Sequence, residues 1–155
     1  MPLAVAAAIV VLVAAAVVLV LQRGSGAVKV TPISAPLDAY AAHLPLTGLQ
    51  MSESTSLSGG KVTYVDGHLQ NTGNRTVTAV MVQALFRDYA HEVTQNETQA
   101  LKLIRTREPY IDVEPVSAAP LNPGDSRDFR LIFDRVSPDW DGAYPELRIV
   151  GVATK

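Results

Sequence analysis

The chain contains no cysteine, which excludes disulfides, thiol nucleophiles and cysteine-ligated metal or iron–sulfur centres. It also lacks any basic run: lysine and arginine are scattered singly, and the formal net charge is −2. Without a basic face there is no electrostatic footprint for a phosphate backbone, so no nucleic-acid partner is expected. No P-loop, dinucleotide fingerprint or G-x-S-x-G elbow occurs. His91-Glu92 opens a zincin-like pattern, but Gln95 stands where the second histidine must be. No convergent nucleophile, base and oxyanion donor can be assembled, which argues against an enzyme, and no cofactor is expected. Long amphipathic helical periods are missing too, which speaks against an alternating α/β fold.

One long hydrophobic run is present. Leu3 to Leu21 is nineteen apolar residues without a charge. As a helix it would be about 28 Å long, close to the hydrocarbon thickness of a bilayer. It exceeds the ~7–15-residue apolar core of a cleaved signal peptide, and no basic residue precedes it. An uncleaved single-pass transmembrane helix over 3–21 is therefore expected, with the lipid bilayer of an inner or plasma membrane as its partner. Residues 22–42 read as a flexible linker rich in Gly, Ser, Ala and Pro, with a reach of roughly 25 Å. A short helical turn is expected near Leu37 to Ala42. Arg23 and Lys29 follow the span and weigh slightly toward a cytoplasmic domain.

From His43 to Lys155 the rhythm changes to alternation and turn punctuation. LPLTGLQM, KVTYVDGHL, TVTAVMVQALF, QALKLIR, PYIDVEP, RDFRLIF and ELRIVGVA each read as a strand, with SESTSLSGG as a polar loop after the first. About seven short strands separated by Gly, Pro, Asn and Asp turns predict an antiparallel β-sandwich over 43–155. TVTAVMVQALF is apolar on both parities. Val80, Val82, Ala84 and Phe86 form one row, and Val77, Ala79, Met81 and Leu85 form the other. PYIDVEP, flanked by Pro109 and Pro115, suits an edge.

Tyr64, Asp66 and His68 share a strand face and could be drawn as an acid–base cluster, but read more simply as the wet side of a strand. The other side carries Val65, Gly67 and Leu69, with Gly67 leaving room for a bulky facing residue. Asn71-Thr72-Gly73-Asn74 reads as a hairpin connection. Asp112 and Glu114 share a face and suit the charged guard of an edge strand better than a pair of catalytic carboxylates. Asp134, Asp139 and Asp141 near Gly142 suggest a ligand loop for a metal ion, glycan or small molecule. Trp140, the only tryptophan, reads as a plug at one end of the core; with Tyr144 it is also a candidate partner anchor. Val77, Met81 and Leu85 are candidates for the same role.

YVDGHLQNTGNRTVTAVMVQALFRD resembles the Gly-x-x-x-Asn-x-Gly hairpin and following strand of FxLYD-type Ig-like domains, and PLNPGDSRDFRLIF is similar to their Pro-Gly turn and Phe-rich strand. Phe86-Arg87-Asp88 departs from the Leu-Tyr-Asp of that label. The wider order, including TREPYIDVEPVSAAPLNPG and SPDWDGAYPELRIV, resembles a bacterial family of single-pass membrane proteins of unknown function. The resemblance implies an Ig-like sandwich, tethered to the membrane and facing the cell envelope, and carries over no catalytic residues. The functional expectation is a membrane-anchored, non-catalytic module that binds a protein partner. The alternative is a ligand-binding domain built on the Asp134/Asp139/Asp141 loop.

Overall fold

The computed structural model describes residues 34–55 and 59–155. The expected transmembrane helix at 3–21 and the first part of the linker lie outside the described residues. Among the described residues no helix is long and apolar enough to cross a membrane.

Eight strands follow a short 3-10 turn at Ala41–His43: β1 (Leu46–Thr55), β2 (Lys61–Gln70), β3 (Val77–Arg87), β4 (Val93–Ala100), β5 (Lys102–Thr106), β6 (Asp112–Pro115), β7 (Ser126–Phe133) and β8 (Glu146–Thr154). They form two antiparallel sheets, one of five strands ordered β1-β2-β7-β5-β6 and one of three ordered β4-β3-β8. The sheets pack face to face as a β-sandwich.

The alternation of β2 and β7 builds the centre of the larger sheet. Val65 and Leu69 face Leu131, Phe129 and Phe133 in the core, all with no exposure. From the smaller sheet, Val80, Val82, Ala84 and Phe86 of β3 supply the opposing layer. Phe86 and Phe133 meet edge to face at 5.0 Å, an orientation that places ring edge against ring face. Each such side chain contributes on the order of 1.5–3 kcal/mol by leaving water. Gly67 pairs with Phe129, and a Cβ there would lie 2.8 Å from the ring.

Three sequence expectations are corrected by this topology. The segment QALKLIR is not one strand but the end of β4 and most of β5, which lie in different sheets. The break falls at buried Leu101, whose N–H reaches Val80 O at 2.9 Å. β4 has no apolar alternation because it is an edge held by polar side chains, and it brings the count to eight. β1 runs on through Ser52–Thr55, expected as loop, because these residues pair with Lys61–Tyr64.

The Asn-Thr-Gly-Asn turn is not a hairpin. It carries the chain from β2 in one sheet to β3 in the other, as an arch. Asn71, fully buried, is its hub: the side-chain amide donates to Arg75 O at 2.8 Å and Leu121 O at 3.1 Å, while its oxygen accepts Gly73 N–H at 3.1 Å. Tyr40 Oη donates to that oxygen at 3.2 Å and accepts Arg75 N–H at 3.0 Å. A Cβ on Gly73 would fall 2.1 Å from Tyr40 Oη, so close approach of the phenol is what calls for glycine here.

That contact also corrects the linker boundary. Ala35 donates its N–H to Gln83 Oε1 at 2.9 Å, and its carbonyl accepts from Arg148 at 3.2 Å. Asp38 N–H reaches Ile149 O, and its carboxylate accepts Val152 N–H, both at 3.0 Å. Residues 35–42 are thus fastened to the smaller sheet, so the folded domain begins before His43.

Candidate functional site

Tyr64, Asp66 and His68 do project from one face of β2, as alternation requires. Each is met there by a residue of neighbouring β7. Arg130 donates two hydrogen bonds to Asp66, both 2.7 Å, and its guanidinium lies 4.5 Å from the Tyr64 ring centroid. These two charged side chains are only 15 % and 16 % exposed, so this is not the bare wet face that the sequence suggested. Burial disfavours the Arg130 charge, but the Asp66 hydrogen bonds outweigh it and hold the guanidinium above its ordinary range.

His68 Nδ1 lies 2.5 Å from Asp128, whose other oxygen accepts Arg107 at 2.6 Å. The Arg107 hydrogen bond lowers the Asp128 pKa most; desolvation opposes it, and the His68 hydrogen bond adds to the lowering. A cavity of about 240 Å³ lies beside this cluster, lined by Gly48, Gln50, Asp66, His68 and Arg107. Along β5, Arg105 pairs with Asp112, which ties the edge strand β6 to its neighbour; Arg87 and Arg148 both pair with Glu146 and lower its pKa. The Asp66–Arg130, His68–Asp128–Arg107 and Arg105–Asp112 contacts thus lay charge pairs across the outer face of the larger sheet, while the Glu146 pairs belong to the smaller one. Asp128, Arg130 and Arg107 were not singled out from sequence, because their partners are 21 to 64 residues away.

Short-range hydrogen bonds shape the loop from Asp134 to Pro145. Asp141 Oδ1 accepts Ala143 N–H at 2.9 Å, and Asp139 N–H reaches Ser137 Oγ at 3.3 Å. Among the described residues no three His, Asp or Glu side chains converge on a point where a cation could sit. Trp140 lies edge to face on Phe86 at 5.4 Å, donates its indole N–H to Ala143 O, and packs against the core. Tyr144 is exposed.

The second apolar row of β3 is not one surface. A register shift between Val77 and Ala79 turns Val77 into the core, where it bridges Leu121. Leu85 is 3 % exposed, while Met81 reaches 37 %. Of the three, Met81 alone offers surface to a partner.

The four sheet edges differ sharply. β8 is covered where Asp38 takes two of its backbone groups. β4 is held by Thr94 to Ser137 and by Gln95 to Arg135 O and Ser137 N–H, and Gln99 reaches across to Ile132 of β7. β6 has only four residues, the last of them Pro115, and follows Pro109. β1 has ten, Leu46–Thr55, and among the described residues it pairs only with β2, no strand lying against its outer row of backbone groups. An apolar groove of about 430 Å³, lined by Leu37, Leu44, Leu46, Leu49, Leu147 and Ile149, opens between β1 and β8.

A family model described as protein of unknown function (DUF2393) matches residues 43–145. No curated protein and no solved structure matches the chain.

Proposed function

The chain belongs to the DUF2393 family, and on that footing we propose that its sandwich is a membrane-anchored, non-catalytic interaction module whose docking element is the open edge of β1. One observation carries this reading: among the described residues β1 is the longest edge strand, and no hydrogen bond reaches it from outside its own sheet, whereas β8 and β4 are each tied to other segments and β6 has only four residues. An uncovered edge invites pairing with another chain, and folds normally suppress it. A partner adding a strand there would gain main-chain hydrogen bonds, and alternate side chains could enter the groove beside Leu46 and Leu49.

In this reading Leu3–Leu21 spans the bilayer, and the sandwich, Ig-like in kind, faces the cell envelope. The linker is shorter than 22–42, because residues 35–42 are fastened to the domain. A shorter tether gives the domain less reach than a free 21-residue coil would. The test uses the full-length chain in its membrane. A photo-crosslinking side chain at Gln50, on β1, yields a discrete adduct, whereas one at exposed Thr98 on β4 does not. Equal yield at both positions rejects the edge as the docking element. Ser25→Cys, in a chain otherwise free of cysteine, labels with an impermeant thiol reagent on intact cells if the domain faces outward; protection reverses the orientation.

A further inference from the structure

We propose that the cleft beside Trp140 is a saccharide-binding site. The cleft, about 360 Å³, is within the size range of small-ligand sites, and Tyr89, Trp140, Asp141, Glu53, Lys61 and Ser137 contribute to its walls. Two tied loops shape it. In the turn after β3, Asp88 Oδ1 accepts both Ala90 and Glu92 N–H at 2.9 Å, and Arg87 reaches His91 O at 3.0 Å. His91 is held there at φ 62°, a left-handed conformation uncommon outside glycine. The second loop, at 134–145, joins the first through Asp141 N–H to Arg87 O at 2.9 Å. Walls fixed in this way lose little freedom when a ligand enters.

The turn presents Tyr89 with 84 % of its surface exposed, so the ring does little for the core. Trp140 has its indole N–H already satisfied by Ala143 O and offers the cleft ring surface rather than a donor. Carboxylates of Glu53 and Asp141 are acceptors, and Lys61, 3.4 Å from Glu53, is a donor. Aromatic surface beside charged acceptors and one donor suits a sugar ring, whose C–H face packs on an aromatic while its hydroxyls donate to carboxylates. Two carboxylates disfavour an anionic ligand, and the charged walls disfavour an acyl chain.

Trp140 is the only tryptophan, so its emission reports on this cleft directly. Full-length protein in detergent is titrated with an N-acetylglucosamine trisaccharide, with maltotriose, and with a lysine-rich peptide. One trisaccharide should give a saturable change with Kd on the order of 1 mM or tighter. Tyr89→Ala, at an exposed position, should keep the far-UV spectrum and melting temperature while weakening binding tenfold or more; Asp141→Asn should weaken it as well. Silence with both trisaccharides overturns the proposal, as does a Tyr89→Ala variant that titrates like wild type. A response to the peptide alone overturns it too and assigns the cleft to a basic peptide.

Discussion

Gly67 on β2 and Phe129 on β7 stand opposite each other across the ladder, and the phenyl ring occupies the space that a Cβ at Gly67 would need. Leu49 closes the same space from β1, its Cδ2 2.9 Å from that point. Gly67→Ala should therefore destabilise the domain by about 1–3 kcal/mol through overpacking, despite the better strand propensity of alanine. Thermal melts should show a fall of several degrees, shrinking when Phe129→Leu is combined with it. Equal losses in both backgrounds would contradict the contact.

Asn71 carries the arch between the sheets. Asn71→Ala removes the side-chain partner of Leu121 O in a buried setting, and the amide bonds to Arg75 O and Gly73 N–H in a part-buried one. A loss of about 2–4 kcal/mol is expected in denaturant unfolding. Asn71→Asp should not rescue it, because a carboxylate oxygen would then face the two carbonyls. Rescue by aspartate would show that the acceptor half of the amide matters alone.

Asp66 and Arg130 form the least exposed charge pair among the described residues. Removing either partner strands a half-buried charge, whereas removing both does not. Asp66→Ala and Arg130→Ala should each cost roughly 1–3 kcal/mol, and the double variant much less than their sum. Strict additivity in the cycle would mean that the pair is geometrically present but energetically silent.

Stability should fall in acid. Asp128 and Glu146 have pKa values below their ordinary 3.8 and 4.5 because arginines hydrogen-bond their charged forms. The folded state thus binds fewer protons than the unfolded one around those values. The stabilisation is complete above pH ~5 and is lost as pH drops below 4.5 and then 3.8, through the lower folded-state values. Asp128 is one-third exposed and Glu146 more so, so the effect is small and weakens with salt. Melting temperatures between pH 7 and 3 should show it, and Arg107→Gln should shallow the slope. A slope unchanged by that variant would remove Asp128 from the account.

Local patterning foretold much of the core. The alternation of Phe129, Leu131 and Phe133, the inward Gly67 and the edge position of PYIDVEP all follow from strand geometry and proline chemistry. β4 escaped because VTQNETQA shows no apolar period: Gln99 bonds backbone of β7 in the opposite sheet and Gln95 bonds backbone of the loop after it, roles that only the fold reveals. The arch was taken for a hairpin because the same turn residues serve both; whether the next strand joins the same sheet is decided by long-range packing. The partners of Tyr64, Asp66 and His68 lay on β7, beyond any local signal. For the same reason Asp38 looked like linker, although its carboxylate fastens onto β8.

The open edge of β1 is the central claim, and adjacent prolines test it most directly. Along a strand, neighbouring N–H groups point to opposite sides, so one of Ser52 and Glu53 faces β2 and the other faces outward. Proline at the inward position should break the ladder and destabilise the domain. At the outward position it should leave the fold intact and abolish the adduct formed from Gln50 in the membrane. A folded outward-proline variant that crosslinks as wild type, or two variants that unfold alike, would contradict an edge open for a partner.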